Sequence, residues 1–437
     1  MFEPAAEAMP VRQRRELQTT RLRAQVARLR DANDFYRRQL ADVPSDLDID
    51  DLAAIPFVAK PDLWAQYPLG TLAVPREQVR RVHATSGTSG RPTVVSYTAG
   101  DLDVFRAVNA RALAGAGAGP GTWVHTAYGY GLFTGGMGLQ GGCEALGAAV
   151  VPISGGGTAR QVQLITDLRP EVLLCTPSYA ATLADGLTAA GVAPGENSLR
   201  VGIFGAEPWS ESMRAQLAER LGITALDIYG LCEVIGPGVA FESLGSAGRL
   251  HINEDHFYVE CVDPDGAPLP DGEVGELVFT TLTREAAPVL RYRTGDLASI
   301  SRQGCDGRTL TTMSRILGRR DDMLVIRGVN VFPSEVEAVV LADERVATAY
   351  ALVLDERGGM PDLIVVAEPT DPGDRDALGD TLGRGLKERL GITCRVVLAE
   401  PGQIPRVEMG KAVRVHRLTA KTNPLPEILA DLPAPRS

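Results

Sequence analysis

Between residues 11 and 40, apolar side chains recur mostly at three-, four- and seven-residue steps (Leu22, Val26, Leu29, Tyr36, Leu40) among many arginines. That period predicts an amphipathic helix with a solvated basic face. The segment 55–63, Ile-Pro-Phe-Val-Ala-Lys-Pro-Asp-Leu, reads as a loop leading into a short helix. Beyond it, short apolar runs at 93–97, 123–125, 148–153, 172–175, 199–204 and 224–228 predict strands. Helical patterns at 101–113, 159–168, 178–190 and 210–221 alternate with them, and a glycine run covers 115–121. Strands alternating with helices imply parallel sheets with helices on their faces.

From about residue 250 the texture changes. Short strands at 259–262, 275–281 and 298–300 are separated by turns such as Pro264-Asp265-Gly266 and Pro270-Asp271-Gly272. Closely spaced strands with such turns predict an antiparallel, barrel-like subdomain. A third texture runs from about 322, with strands at 323–326, 349–354, 363–368 and 395–398 and helices at 333–342 and 374–390. It reads as a small α+β domain. The fold class is therefore α/β, and 437 residues exceed one ordinary core, so more than one domain is expected.

Composition narrows the function. A net charge of −11 argues against nucleic acid as a main partner, because phosphate backbones call for a basic face. The six cysteines (143, 175, 232, 261, 305 and 394) form no Cys-x-x-Cys pair, which fits free thiols in a reducing compartment. Neither a bilayer-spanning apolar run nor a signal-peptide core is evident, so a cytoplasmic location is expected, with no membrane partner.

The richest chemistry lies at 83–98. Gly87 and Gly90 alternate there with the hydroxyls of Thr85, Ser86, Thr88 and Ser89, followed by Arg91 and Pro92. Successive amides in such a loop make a concave anion site, and the arginine adds fixed positive charge. The loop departs from the G-x-x-x-x-G-K-[ST] pattern, since Arg91-Pro92 follows Gly90 and no helix starts there. A polyphosphate suits it; solvated linkers share the composition. Polar motifs follow at predicted strand ends and loops, where open α/β sheets place ligands. These are Gly205-Ala206-Glu207-Pro208-Trp209, Asp227-Ile228-Tyr229-Gly230-Leu231-Cys232-Glu233 and Arg291-Tyr292-Arg293-Thr294-Gly295-Asp296. Then come Gly318-Arg319-Arg320-Asp321-Asp322, Arg327-Gly328-Val329-Asn330 and Glu408-Met409-Gly410-Lys411.

In order and spacing, this set resembles the adenylate-forming superfamily of acyl-CoA ligases and adenylation domains. Within it the chain is similar to the phenylacetate–CoA ligase family over essentially its whole length. Ala127-Tyr128-Gly129-Tyr130-Gly131-Leu132-Phe133-Thr134-Gly135-Gly136, the 205–209 motif, Glu233–Val239 and the 327–333 stretch carry the likeness. The resemblance implies a large N-terminal domain (1–320) that binds ATP and an acid, and a small mobile C-terminal domain (321–437) carrying Lys411. It also implies a carboxylate attacking the α-phosphate of ATP, then a thiol, usually of coenzyme A, displacing AMP.

The same resemblance assigns roles. Ser86, Gly87, Thr88 and Arg91 would hold the outer phosphates, Arg91 standing where the family often has lysine. Gly205, Ala206, Glu207 and Pro208 would line the adenine, with Asp227 and Tyr229 beside it. Glu233 matches the magnesium ligand and a catalytic position; Asp296 would accept from the ribose hydroxyls, and Arg319 would reinforce that end. Lys411 would stabilise charge on the attacked phosphate, and Asp321 matches the hinge about which the small domain turns. Tyr128, Phe133, Gln140, Ile228 and Pro237 would border an aromatic acid. Small residues such as Gly141 would admit a substituted ring, so arylacetate-, benzoate- and anthranilate-type acids stay open. Cys232 replaces an expected serine.

His251, His256, Cys261 and Cys305 fall where some relatives hold structural zinc, but the close cysteine pair of such a site is missing. The acceptor stays open between coenzyme A and a carrier-protein thiol in secondary metabolism, and a homodimer is a further expectation from relatives. A non-catalytic scaffold is disfavoured, because Glu233, Asp296, Arg319 and Lys411 are all present.

Overall fold

The protein's structure is a computed structural model that describes residues 1–85, 92–358, 361–371, 373, 375–407 and 411–430. Helices α1 (Pro4–Glu7), α2 (Val11–Ala32), α3 (Asp34–Gln39) and α4 (Lys60–Ala65) precede the hairpin β1 (Arg81–Ala84) and β2 (Val94–Tyr97). The single helix expected over 11–40 is broken at Asn33, whose side chain caps α3 by accepting from the Tyr36 amide at 3.0 Å. Its basic face is also largely docked rather than solvated. Arg14 is 3% exposed and pairs with Glu254 at 3.1 Å, while Arg28 donates to the carbonyls of Arg284 (2.8 Å) and Glu285 (2.9 Å). Guanidinium forks here satisfy loop carbonyls that would otherwise be stranded against the helix.

Next come α5 (Ala99–Gly115), β3 (Trp123–Thr126), α6 (Gly135–Leu146), β4 (Ala149–Val151), α7 (Thr158–Leu168), β5 (Val172–Cys175) and α8 (Pro177–Ala189). They are followed by β6 (Val201–Gly205), α9 (Glu211–Leu221) and β7 (Thr224–Leu231). Neighbouring strands run parallel in the order β7-β6-β5-β3-β4. Every residue of β5 and β6 is buried, as covered parallel strands require.

Then β8 (Gly236–Glu242) folds back antiparallel on β7, and β9 (Leu250–Ile252) pairs with it. The turn-rich region supplies β10 (Phe257–Val262), β11 (Val274–Thr281), β12 (Tyr292–Ser301), β13 (Thr312–Met313) and β14 (Gly318–Arg319). Hydrogen bonds join these antiparallel strands to the parallel ones in a twelve-stranded sheet among the described residues. The expected antiparallel part is thus present, and it shares edges with the parallel part.

The remainder holds the hairpin β15 (Leu324–Ile326) and β16 (Val329–Val331), helices α10 (Pro333–Val340) and α11 (Arg375–Leu390), and a second sheet. That sheet has the order β19 (Arg395–Leu398), β18 (Asp362–Pro369), β17 (Val346–Asp355), β20 (Val415–Leu418). One apolar cluster runs from Tyr179, Leu183 and Leu217 on α8 and α9 to Val336, Val340 and Leu382 on α10 and α11. The small sheet's helices therefore seat on the large sheet's helices. Among the described residues no helix is long and apolar enough to cross a membrane.

A buried ionic network ties α5 to the first residues. Arg111 gives both ends of its fork to Asp255 (2.7 and 2.9 Å), another N–H to Asn253 (2.9 Å), and Nε–H to Glu3 (2.7 Å). Burial opposes ionisation of Asp255, but these bonds outweigh it and hold the carboxyl well below its usual range.

The four residues of the possible zinc set each have other surroundings. His251 meets the Ser243 hydroxyl at 3.0 Å, and His256 meets Thr283 at 2.9 Å. Cys261 donates to the carbonyl of Ala298, and Cys305 lies in a turn. No group of three or more His, Cys, Asp or Glu suited to a metal occurs among the described residues.

Burial pushes His251 and His256 from 6.5 down to about 4; the Asp255 carboxylate facing His256 opposes this, while Arg111 and Arg21 reinforce it. Around His251 stand Arg308, which lowers it further, and Asp306 and Glu7, which raise it. Between pH 6.5 and 4 the unfolded chain binds more protons at these sites, so their contribution is complete above 6.5 and is lost as pH falls through 4. Asp227, raised from 3.8 to about 7 by burial, acts in the opposite sense, so the two effects are separated by a variant. His251→Gln should lose less stability than the unsubstituted protein between pH 7 and pH 4.5, in denaturant midpoints taken across that range. Parallel curves would refute it.

Candidate active site

The site forms at the carboxyl ends of β6 and β7. Gly205 closes β6 so near its neighbour that an added Cβ would lie 2.1 Å from the Ile228 carbonyl oxygen. Ala206 then takes φ 76°, a left-handed conformation unusual for a residue with a side chain, and Glu207 and Pro208 follow it in the loop before α9. On β7, Asp227 is buried beside Arg214, which reaches Glu242 at 2.7 Å and lies over the Trp209 ring at 4.8 Å.

Two residues along, the Tyr229 hydroxyl donates to Asp296 at 2.6 Å, and its ring stacks on Phe279 at 6.0 Å. Asp296 and Arg319 are register partners on β12 and β14, and the guanidinium reaches the carboxylate at 2.5 Å. Burial pushes the Asp296 carboxyl up, while Arg319 and the Tyr229 hydroxyl pull it back. Arg319 also clamps both oxygens of Asp321 (2.9 and 3.1 Å), which joins the expected hinge directly to the expected ribose site.

Glu233 is buried in the turn after β7, beside Tyr292, and lines a cleft with Pro92, Thr93 and Val94. Thr93 lies just after the segment expected to hold phosphate. Ser86, Gly87, Thr88 and Arg91 themselves lie outside the described residues, as do Glu408, Met409 and Gly410. Lys411 is exposed, and its ammonium stands within electrostatic reach of Asp296, Asp322 and Cys232. Cys232 itself, raised to about 11 chiefly by burial, is far from thiolate at neutral pH.

Of the expected acid pocket, Tyr128, Phe133 and Ile228 join one apolar cluster that also touches Ala206. The Tyr128 and Phe133 rings lie 6.3 Å apart, and the Tyr128 hydroxyl meets the Gly205 backbone. Gln140 instead bonds Glu144 at 2.7 Å along α6, and the carbonyl of Pro237 accepts from Asn109 at 3.1 Å. Gly141 does not widen the pocket as its small size suggests. A Cβ there would sit 3.0 Å from Arg106 Cγ on α5, and one at Gly138 would be 2.2 Å from Phe105. Gly138, Gly141 and Gly142 let α6 pack closely on α5, while Gly135 and Gly136 face Tyr128, Gly129 and Phe133.

Residues 14–282 match the AMP-binding enzyme family, and residues 328–417 match the AMP-binding enzyme C-terminal domain. Phenylacetate–coenzyme A ligase of Thermus thermophilus is 50% identical over 95% of this chain and 99% of its own length. The chain belongs to the phenylacetate–CoA ligase family. The Escherichia coli K12 family member is 48% identical over 94% of this chain and 96% of its own length. A crystal structure of 2-hydroxyisobutyryl-CoA ligase in the postadenylation state, with its acyl-AMP, superposes with a TM-score of 0.88 at 27% identity. That match covers 95% of this chain and 91% of the other. The same ligase with CoA in the thioesterification state gives 0.71 at 28% identity, covering 95% and 92%.

Several contacts at this family site had no sequence signal. Arg214 meets Asp227 from the preceding helix, Tyr292 meets Glu233 from a later strand, and Glu207 bonds the Ala412 amide at 2.8 Å. Spacing along the chain does not register such contacts.

Proposed function

We propose that this chain joins an aromatic or arylacetic acid to coenzyme A in two steps, through an acyl-adenylate. The assembly of Tyr229, Asp296 and Arg319 from one part of the chain, with Lys411 from the other facing them, carries this reading. The names of relatives matched end to end support it.

In the first step the acid's carboxylate oxygen bonds to the α-phosphorus of ATP, and the bond to the bridging oxygen of pyrophosphate breaks. Gly205, Ala206, Glu207 and Pro208 line the base, with Asp227 behind them and Tyr229 offering its flat face. Asp296 accepts from the ribose hydroxyls through the lone pairs that Tyr229 and Arg319 leave. Lys411 meets the charge that grows on the α-phosphate. Glu233 offers a hard oxygen donor in the cleft by Thr93, which fits Mg²⁺ held by one carboxylate and phosphate oxygens. There the ion would neutralise phosphate charge. Ser86, Gly87, Thr88 and Arg91 would take the outer phosphates.

In the second step the thiol bonds to the acyl carbon, the acyl–phosphate bond breaks, and AMP leaves with its electron pair. Domains 1–320 and 321–437, turning about Asp321, would exchange Lys411 for the 327–330 turn between the two steps. Tyr128, Phe133 and Ile228 form the apolar wall for the ring, with Gln140 and Pro237 at its margin.

Purified protein with ATP and Mg²⁺ should exchange pyrophosphate only when an aromatic or arylacetic acid is present, and should form a thioester when CoA is added. No exchange across a panel including phenylacetate, benzoate and anthranilate would refute the reading. Thioester formed on a carrier protein but not on CoA would overturn the acceptor. Sedimentation of the same sample would decide the proposed homodimer.

A further inference from the structure

Two side chains of α8 contact the segment that leads to Lys411, and the Ser178 amide reaches it through Glu207. Ser178, Thr182 and Asp185 are four and three residues apart, which puts them on one side of the helix. The Thr182 hydroxyl donates to the Val407 carbonyl at 3.0 Å, and Asp185 pairs with Arg406 at 3.4 Å. The third contact is indirect. The Ser178 amide, in the first turn of α8, donates to Glu207 Oε1 at 2.7 Å, and Glu207 Oε2 accepts from the Ala412 amide at 2.8 Å. Glu207 is thus pinned by one oxygen to the large sheet's helices and holds with the other the residue next to Lys411. An anionic side chain suits a helix N-terminus, which fixes its orientation.

We propose that Glu207, with the Thr182–Asp185 stripe of α8, is a latch that seats Arg406, Val407 and Ala412 so that Lys411 faces the nucleotide in the adenylating step. The same bonds must break when the small domain turns for the thiol step. This inference rests on the two-step reading above and assigns Glu207 a task beyond lining the adenine. A latch made of a few polar bonds suits a contact that must open each cycle, because each exchanges readily for water. Glu207 is a positioning residue: it acts through Lys411 and touches no reacting atom.

The test separates the half-reactions. Glu207→Gln keeps the volume but turns an N–H toward one of the two amide donors. It should slow acid-dependent pyrophosphate exchange about ten- to a hundredfold, the loss expected of a charge-assisted bond. Transfer to CoA, measured with saturating acyl-adenylate so that any weakened hold on the base drops out, should fall at least about fivefold less than exchange does. Thr182→Val should show the same asymmetry more weakly.

In a Lys411→Ala background, Glu207→Gln should add less than about a twofold loss, because nothing remains to be positioned. A residue that only binds adenine would raise the KM for ATP and would remain additive. Hydrogen exchange gives a readout free of turnover: a peptide spanning Ala412 should exchange faster in Glu207→Gln. Equal losses in both half-reactions, additive losses with Lys411→Ala, or unchanged exchange at Ala412 would each overturn the latch. If the unsubstituted protein lacks pyrophosphate exchange, the two-step reading fails by itself, and hydrogen exchange at Ala412 still decides the latch.

Discussion

Lys411→Ala is expected to slow acyl-adenylate formation about a hundred- to a thousandfold, the usual effect of removing one preorganised group from a developing oxyanion. The ammonium stands within electrostatic reach of Asp296, Asp322 and Cys232, on the side where the ribose end of the nucleotide is expected. Because Lys411 is exposed, its removal creates no cavity, and stability should shift by less than about 0.5 kcal/mol. Transfer from a supplied acyl-adenylate to CoA should survive, because the proposed turn of the small domain withdraws the lysine before that step. Lys411→Arg should rescue only partly, for a planar fork does not replace a compact point charge. Pyrophosphate exchange, with unfolding curves to show that the variant is folded, measures all of this. Near-normal exchange by folded Lys411→Ala would remove the residue from the mechanism.

The largest effect on stability is expected at Arg111→Met. Arg111 is 1% exposed, and four of its hydrogen bonds converge on Asp255, Asn253 and Glu3. Truncation strands the Asp255 carboxylate in the interior, and breaking a buried pair from one side costs about 3–5 kcal/mol. Removing both charges, as Arg111→Met with Asp255→Leu, should recover much of that, because no uncompensated ion remains. His256, 3.2 Å from Asp255, should then titrate higher in the single variant than in the unsubstituted protein, since it becomes the nearest available cation. Denaturant midpoints of the three variants, with His256 followed by NMR, check both statements. A single variant as stable as the unsubstituted protein would show that water reaches Asp255.

The parallel strands were legible because buried strands read as short apolar runs: β5 and β6 fall where Val172, Leu173, Leu174, Ile203 and Phe204 announce them. Helix α6 was not. Its glycines at 135, 136, 138, 141 and 142 are poor helix formers; those at 138, 141 and 142 lie against α5 and those at 135 and 136 against Tyr128, Gly129 and Phe133, with little room for a larger side chain. The arginines of α2 misled in the other direction, since a basic helical face looks the same in a chain whether it meets water or carbonyl groups.

The motifs were legible in their order: residue types suited to phosphate, ribose and base occur in chain sequence, and backbone geometry near each one is local. Amino-acid order by itself determined the alternation of elements, the family and the identity of the polar groups. Tertiary structure decided which of those groups meet. Asp296 lies between Tyr229 and Arg319, Glu207 reaches Ala412, and Gly141 turns to a helix instead of a pocket. These pairings depend on packing between segments tens to hundreds of residues apart, and no periodicity along one strand or helix encodes such distances.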